Sequence, residues 1–236
     1  MKLSIIIPAY NEEKRILGTL KEIDYYFTKY PFNYEVLIVD DGSTDNTNII
    51  VDNYILNKFN FRLFQNSENS GKGYSIRKGV RESTGDLILF TDADLHTSLL
   101  EINKFLPYLK NFDIIIASRS LSGSLVGEVL YRRFIGEVFS WIVQLLIIKG
   151  IPDTQCGFKL FTKKAAKTIF QRQLINGWAF DVEILFLARK LGFRIKDIPV
   201  TSNNPPGSKV NPITAGISMF RDLLKIRFYS IMGYYR

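Results

Sequence analysis

Short apolar runs of strand length alternate with amphipathic segments of helix length over the first half of the chain. The strand-length runs are residues 3–7, 35–39, 61–64, 87–90 and 114–117, and the helix-length segments are residues 12–29, 45–56, 72–82 and 98–109. Such alternation is typical of βαβ units, so it predicts an α/β fold with a largely parallel sheet. Right-handed crossovers would place the loops after these strands along one edge of the sheet, where α/β proteins bind ligands.

The second half of the chain is less regular. Its pattern predicts strands at 158–161 and 193–198, helices at 163–172 and 181–191, and a loop at 201–212 that contains three prolines. No linker separates two domains within the first 212 residues. We therefore expect one α/β domain over residues 1–212, followed by a basic amphipathic helix over residues 213–236.

Residues 134–148 form a strongly apolar helix candidate with a narrow polar stripe at Glu137, Ser140 and Gln144. The segment is shorter than the ~20 apolar residues that cross a bilayer, so we expect no transmembrane span. A helix that is apolar nearly all round is usually buried, and the alternative is insertion into the membrane interface. The basic, aromatic tail at 213–236 favours the second interpretation, which is peripheral attachment by two amphipathic interfacial helices.

Charge and composition restrict the possible ligands. The formal net charge of +8 suits anionic partners, namely nucleic acids, phosphorylated ligands or anionic lipid surfaces. Cys156 is the single cysteine, so no intrachain disulfide is possible, and His96 is the single histidine, which excludes a multi-histidine zinc or copper site. A metal would be held mainly by oxygen ligands, which indicates magnesium or manganese.

Two pairs of carboxylates follow predicted strands. Asp40 and Asp41 end the second strand beside a glycine turn, where they can accept hydrogen bonds from a base edge or a ribose. Asp92 and Asp94 follow the fourth strand, and carboxylates two residues apart on an extended segment point the same way. Like charges held so close repel unless a cation lies between them, and magnesium bridges carboxylates to phosphate oxygens. Neither a G-x-G-x-x-G nor a G-x-x-x-x-G-K-[ST] motif is present, which argues against a dinucleotide-binding Rossmann enzyme and a P-loop NTPase.

The order of these motifs resembles that of family 2 glycosyltransferases. The segments that carry the resemblance are PAYNE (8–12), VDDGSTD (39–45), NSGKG (69–73) and DAD (92–94). Two later segments, DTQCGFK (153–159) and GWAFDVE (177–183), resemble the dolichyl-phosphate β-glucosyltransferase branch, and polyprenyl-phosphate mannose synthases match more loosely. The resemblance implies a GT-A fold, which is a Rossmann-like, mostly parallel sheet flanked by helices.

The resemblance also implies roles for individual residues. Donor binding is implied for Pro8, Tyr10, Glu12, Asp40, Asp41, Lys72, Asp92 and Lys209. Asp92 and Asp94 would hold the divalent metal, Mg²⁺ or Mn²⁺, so that Asp94 would be catalytic. Arg119, Arg132 and Arg133 would bind the acceptor phosphate, and Asp181 would be a second catalytic residue that orients the acceptor.

Most of these residues also have an ordinary structural interpretation. Thr44 or Asp45 can cap a helix, Lys72 can be a plain helix residue, Arg132 and Arg133 can begin a solvated helix, and Asp181 can open a helix favourably. His96 is expected in a loop, with metal or phosphate contact as the alternative, and Cys156 is expected as a small buried residue.

The function implied by the resemblance is inverting transfer of a sugar, with glucose from UDP-glucose favoured, to a polyprenyl or dolichyl phosphate. The expected partners are a nucleotide diphosphate sugar, the lipid phosphate and a membrane surface, with no nucleic acid; the expected location is peripheral, on the cytoplasmic face. Three alternatives stay open: GDP-mannose or UDP-N-acetylglucosamine as donor, a hydroxyl acceptor that needs Asp181 as general base, and a catalytically silent membrane-surface protein of the same fold. A sugar-phosphate nucleotidylyltransferase is a further rival, and the lack of a glycine- and arginine-rich start after the first strand argues against it.

Overall fold

The computed structural model describes residues 1–119, 130–201 and 212–236, and for residues 130–135, 137 and 212–215 it describes the backbone alone. Within these ranges, seven strands form one sheet. The strands are β1 (Lys2–Ala9), β2 (Asn33–Asp40), β3 (Phe61–Gln65), β4 (Leu87–Phe90), β5 (Ile114–Ser118), β6 (Lys159–Thr162) and β7 (Ile195–Pro199). The helices are α1 (Ile16–Lys29), α2 (Thr47–Ile55), α3 (Lys72–Glu82), α4 (Ile102–Phe105), α5 (Leu130–Leu146), α6 (Lys163–Phe170), α7 (Phe180–Lys190) and α8 (Pro212–Ile231).

The strands lie in the order β3-β2-β1-β4-β6-β5-β7. Neighbours among the first four are parallel, as are β5 and β7, so the predicted mostly parallel sheet is confirmed. Only β6, among the described strands, runs antiparallel to its neighbours β4 and β5. Because Lys159, which begins β6, pairs with Phe90 at the end of β4, the segment before β6 lies at the edge where the parallel strands end.

Helices cover both faces of the sheet, which explains why the central strands are continuously apolar. Ile5, Ile6 and Ile7 of β1 are all inaccessible to solvent, although successive side chains point to opposite faces. Ile6 belongs to a core with α3, α5, α6, α7 and α8. Ile5 and Ile7 belong to a second core with α1, α2 and α4. The sheet is therefore the central layer of the domain.

Several predicted helices differ in their bounds from the observed ones: α5 begins at Leu130 rather than at residue 134, α8 ends at Ile231 rather than at residue 236, and two further differences have a visible cause. α1 begins at Ile16 rather than at residue 12, because the backbone first makes a turn in which Asn11 has a φ of +56° and the carbonyl of Glu12 accepts from the amides of Arg15 and Ile16. The helix expected over 98–109 is split into 3-10 turns at Leu99–Glu101 and Leu106–Lys110 around the short α4. Pro107 lies in the second turn, where it lacks the amide hydrogen that a continuous α-helix requires.

The apolar helix α5 has one buried face and one exposed face. Val143 is inaccessible to solvent, whereas Trp141 and Leu145 are exposed. The burial interpretation is therefore correct for one face of this helix, and interfacial insertion of the other face stays a prediction. No described helix combines the length and the apolarity that crossing a membrane requires.

Candidate active site

The predicted motifs meet at the edge where β1, β2 and β4 end. Ala9 pairs with Asp40 at the end of β1 and β2, and the amide of Asp41 donates to the carbonyl of Ala9 at 2.8 Å. The loop after β4 begins beside them, because the amide of Thr91 donates to the carbonyl of Ile6. The topology thus brings the segments after these three strands to one place.

Asp40 and Asp41 are both buried and both organise loops at this edge. Asp41 accepts hydrogen bonds from the side-chain amide of Asn66 at 2.7 Å and from the backbone amides of Ser70 at 3.1 Å and Gly71 at 2.8 Å. Asp40 accepts hydrogen bonds from the amide and the hydroxyl of Ser43. These bonds act to lower the pKa of Asp40, but burial outweighs them and raises it. The pair therefore shapes the loops after β2 and β3, and its contact with a donor stays a prediction.

The residues after β1 form a second wall of the site. Pro8 lies within β1, and Tyr10 directly after it is exposed. Glu12 forms a two-bond ion pair with Arg15, with distances of 2.7 and 2.8 Å. Arg15 also reaches Asp94, with 3.3 Å between Nη1 and Oδ2. Arg15 was not among the predicted site residues, because a local pattern does not show that an arginine just before a helix will contact the carboxylates of two separate motifs.

Asp92 and Asp94 face different basic side chains. Lys72 Nζ lies 2.6 Å from Asp92 Oδ1, and His96 Nε2 lies 2.7 Å from Asp94 Oδ2. Burial opposes the charged form of Asp94, but hydrogen bonding to His96 and the positive charge of Arg15 outweigh it and lower its pKa. The Asp94 carboxylate is therefore held in its ionised form.

The carboxylate pair fits a divalent cation. Asp94 Oδ1 is buried and has no hydrogen-bond partner among the described residues, which is unusual for a charged oxygen. A Cβ at Gly157 would overlap the Asp92 carboxylate, so glycine is required for the carboxylate to occupy its position. Carboxylate oxygens are the ligands that Mg²⁺ and Mn²⁺ prefer. Asp92 and Asp94 are thus the side chains that could hold such an ion.

A buried charge pair lies behind Lys72. Asp181 at the start of α7 accepts from the ammonium of Lys159, which is itself inaccessible to solvent and also donates to the Cys156 carbonyl at 2.6 Å. Burial raises the pKa of Asp181, and the positive charges of Lys159 and Lys72 oppose this. For Lys72, burial favours the neutral amine, but Asp92, Asp181 and Asp94 together raise its pKa. Positive and negative groups therefore alternate from Lys159 to Asp92.

Arg119 is fixed by a carboxylate that the sequence analysis did not identify. Asp153 accepts from Arg119 Nε at 2.9 Å, from Nη2 at 3.0 Å and from the backbone amide at 3.0 Å. Arg119 also lines a cavity of about 30 Å³ together with Asp92, His96 and Gly157. The predicted acceptor arginine thus lies beside the predicted metal carboxylate. The only sequence signal for Asp153 and Lys159 is that they begin and end the segment DTQCGFK.

The side chains of three predicted site residues lie outside the described residues. The backbone of Arg132 and Arg133 lies in the first turn of α5, but their side chains are outside the described residues. Lys209 lies outside the described residues entirely. Their roles stay predictions.

The sequence is similar to a known family over most of its length. The model of the family described as Glycosyl transferase family 2 matches residues 4–170. The chain is 37% identical over 249 residues to the dolichyl-phosphate beta-glucosyltransferase of Dictyostelium discoideum, with 99% of this chain and 76% of the relative covered. The relative of the same name from Mus musculus is 36% identical, with 100% and 78% covered. The one from Saccharomyces cerevisiae is 35% identical, with 99% and 76% covered.

Solved structures share the fold at low sequence identity. Glucosyl-3-phosphoglycerate synthase from Mycobacterium tuberculosis, in complex with Mn²⁺, uridine diphosphate and phosphoglyceric acid, has a TM-score of 0.70 at 17% identity, with 97% of this chain and 78% of that chain covered. Mannosyl-3-phosphoglycerate synthase from Rubrobacter xylanophilus has a TM-score of 0.71 at 14% identity, with 99% and 75% covered. These likenesses confirm the predicted GT-A fold.

Proposed function

The chain belongs to glycosyl transferase family 2, and we propose from this membership that it transfers glucose from UDP-glucose to dolichyl phosphate or another polyprenyl phosphate. Relatives with 35–37% identity are dolichyl-phosphate beta-glucosyltransferases, which supports the sugar and the acceptor. The observation that carries the proposal is the cavity shared by Asp92 and Arg119. It places a carboxylate suited to the metal of the leaving diphosphate beside a guanidinium suited to an acceptor phosphate.

The donor half of the site would act by charge neutralisation. Asp92 and Asp94 would hold Mg²⁺ or Mn²⁺, which when bound supplies positive charge to the departing diphosphate. Lys72 Nζ, 2.6 Å from Asp92 Oδ1, would add a second positive charge on the same side. Tyr10, Asp40 and Asp41 would line the nucleoside position through the loops after β1 and β2.

The acceptor half of the site would position a phosphate rather than activate a hydroxyl. A phosphomonoester has a second pKa near ~6, so it is largely dianionic at neutral pH and needs no strong base. Arg119, held by Asp153, is preorganised to bind phosphate oxygens. The phosphate oxygen would attack the anomeric carbon from the face opposite the leaving diphosphate, with inversion.

The pairing of Asp181 with Lys159 favours this phosphate acceptor over a hydroxyl acceptor. A hydroxyl nucleophile would require a general base that can accept its proton. Asp181 Oδ1 already accepts from the buried ammonium of Lys159, so one of its two oxygens is occupied, while burial raises the pKa of the carboxyl despite the positive charges of Lys159 and Lys72. The occupied Oδ1 therefore supports an orienting role for Asp181 rather than proton abstraction.

An exposed apolar surface supports peripheral attachment to a membrane, with the cytoplasmic face as the proposed side. It consists of Trp141 and Leu145 on α5 and of Ile217, Phe220, Leu224, Phe228 and Ile231 on α8. The two helices are in contact, because Arg227 Nε donates to the carbonyl of Leu146. Basic residues Lys225 and Arg227 lie on the same helix α8, which suits an anionic lipid surface.

A donor panel tests the proposed reaction directly. Purified protein would be mixed with a short polyprenyl phosphate, Mn²⁺ and one of UDP-glucose, GDP-mannose or UDP-N-acetylglucosamine, and the glycolipid product would be measured by mass spectrometry. We expect product from UDP-glucose, and we expect none when polyprenol replaces polyprenyl phosphate. Product from polyprenol, or from another donor alone, would show that the assigned acceptor or sugar is wrong.

A further inference from the structure

A buried glutamate near the start of α7 connects the segment after α8 to the loop before α7. Glu183 is inaccessible to solvent, and its carboxylate accepts from the backbone amides of Leu174 and Ile175, each at 2.9 Å. The hydroxyl of Tyr235 donates to Glu183 Oε1 at 2.7 Å. Burial raises the pKa of Glu183, and these three hydrogen bonds oppose that shift. Tyr235 itself is almost completely buried, so its ring and its hydroxyl are both fixed.

The loop held by Glu183 packs directly against the first turn of α3. The carbonyl of Asn176 accepts from the amides of Gly73 at 2.7 Å and Tyr74 at 3.3 Å. A Cβ at Gly71 would lie 2.5 Å from the Asn176 carbonyl oxygen, and one at Gly73 would lie 2.6 Å from the Ile175 carbonyl oxygen. Such distances exclude any side chain, and Gly71 also has a φ of +102°, which glycine adopts most readily. The backbone on both sides of Lys72 is therefore positioned by this loop.

Lys72 is the charged side chain that this arrangement places in the donor site. Its backbone lies between the two constrained glycines, and its Nζ pairs with Asp92 Oδ1 at 2.6 Å. Continuous hydrogen bonds and close contacts thus run from Tyr235 through Glu183 and residues 174–176 to Lys72. Neither Glu183 nor Tyr235 is among the groups that line the cavity of Asp92 and Arg119.

We propose that Glu183 and Tyr235 are positioning residues for the donor site, which act on nucleotide binding through the placement of Lys72. Tyr235 stabilises the Glu183 carboxylate, the carboxylate fixes the amides of residues 174 and 175, and the loop in turn fixes α3. The inference rests on the proposed nucleotide-sugar site, and it adds to that site two residues whose side chains do not touch the substrate. It also ties donor affinity to the segment that follows α8.

The variant Tyr235→Phe tests the inference with little change in volume. It removes one hydrogen bond to a buried carboxylate. Complete loss of such a charge-assisted bond changes an equilibrium constant by roughly tenfold or more. Because only part of this free-energy change would affect the position of Lys72, we expect about fivefold weaker binding of UDP in the presence of Mn²⁺, measured by calorimetry on the full chain. Tyr234→Phe is the matched control, because Tyr234 is the neighbouring tyrosine and is exposed, and we expect wild-type affinity for it.

A thermodynamic cycle with Lys72→Met separates positioning from general stability. If Tyr235 acts through Lys72, Tyr235→Phe should weaken UDP binding in the wild-type background and have no further effect in the Lys72→Met background. An equal loss in both backgrounds, or wild-type affinity for Tyr235→Phe, would overturn the inference while leaving the proposed function intact. Wild-type protein that binds no UDP with Mn²⁺ would overturn the proposed function and the inference with it.

Discussion

Two carboxylate clusters, one around Glu35 and one formed by Asp92 and Asp94, lie at opposite edges of the same sheet. Glu35, near the start of β2, accepts from the Thr84 amide at 2.7 Å, from the Ser4 and Thr84 hydroxyls, and from Lys2 Nζ at 3.0 Å and Arg62 Nη2 at 3.1 Å. At the opposite edge, Asp94 Oδ1 is buried without a hydrogen-bond partner in the described part of the chain. Both groups are charged and largely removed from water, yet of the two only Glu35 is fully paired among the described residues.

We propose that this difference separates carboxylates that stabilise the fold from carboxylates that bind a ligand. A fully hydrogen-bonded buried carboxylate contributes to folding, whereas an unpaired one lowers stability unless a ligand completes it. Parallel strands end at the Asp94 edge, and ligand sites in such folds are found there. The loss of the Glu35 carboxylate should therefore reduce stability, and the loss of Asp92 or Asp94 should reduce activity.

The largest expected effect on transfer comes from the metal carboxylates. Asp92→Asn or Asp94→Asn should lower turnover at least ~100-fold, because the diphosphate would leave without its neutralising metal. The melting temperature should stay the same or fall slightly, because Asp92→Asn loses the ion pair with Lys72 and Asp94→Asn loses the ion pair with Arg15. Turnover and thermal unfolding of both variants check this. Near-normal activity of either variant, or full activity of the wild type in excess EDTA, would refute the metal assignment.

A smaller effect is expected at the acceptor arginine. Arg119→Lys keeps the positive charge but loses the planar, two-bond contact with phosphate, so transfer to polyprenyl phosphate should fall about tenfold or more. Affinity for UDP with Mn²⁺ should be nearly unchanged. Arg194→Lys is a suitable control, because Arg194 is an exposed arginine that also pairs with an aspartate, Asp113. Loss of UDP binding by Arg119→Lys would show that Arg119 binds the donor, and the assignment to the acceptor phosphate would be wrong.

The effect of Asp181→Asn distinguishes the two acceptor classes. With a phosphate nucleophile no base is lost, so turnover per folded molecule should stay within about tenfold of the wild type. Loss of a true general base would cost ~100- to 10,000-fold. The variant should be less stable, because the buried Lys159 ammonium loses its carboxylate partner. Folded protein must therefore be quantified by circular dichroism alongside the transfer assay.

The smallest effect on transfer, and a large one on stability, is expected for Glu35→Gln. Burial opposes ionisation of Glu35, but hydrogen bonds from Ser4, Thr84 and Lys2 outweigh it and lower its pKa to about 2. A lowered folded-state pKa contributes stability above the unfolded value of ~4.3, and that contribution is lost as pH falls towards 2. Glu35→Gln should cost about 2 kcal/mol at pH 7 and flatten this acid dependence, which urea titrations at several pH values measure. An unchanged acid dependence would show that Glu35 is not the responsible group.

Local sequence patterns predicted the strand and the helix that position the site residues. The apolar run 87–90 and the helix 72–82 coincide with β4 and α3, because strand and helix periodicities are encoded in adjacent residues. The antiparallel direction of β6 was not predictable, because a short apolar run does not show which strands it will pair with or in which direction. Pro107 was visible in the sequence, but its interruption of the helix at 98–109 was not recognised.

The motif residues were easier to predict than their partners. Asp92, Lys72 and Arg119 were identified from motif order, and the structure brings them together. Arg15, Asp153 and Lys159 were missed, because an ion pair between residues far apart in the chain depends on tertiary packing. The two faces of α5 were likewise undecided, since an almost uniformly apolar sequence does not show which side meets the core.

Calorimetric titration of UDP in the presence and absence of Mn²⁺ tests the contrast between the two clusters most directly. The proteins compared are the wild type, Asp94→Asn and Glu35→Gln at a pH where all three are folded. We expect Mn²⁺ to strengthen UDP binding to the wild type and to Glu35→Gln, and we expect Asp94→Asn to lose this enhancement. Equal enhancement in Asp94→Asn and the wild type would contradict the assignment of the unpaired carboxylate to the metal.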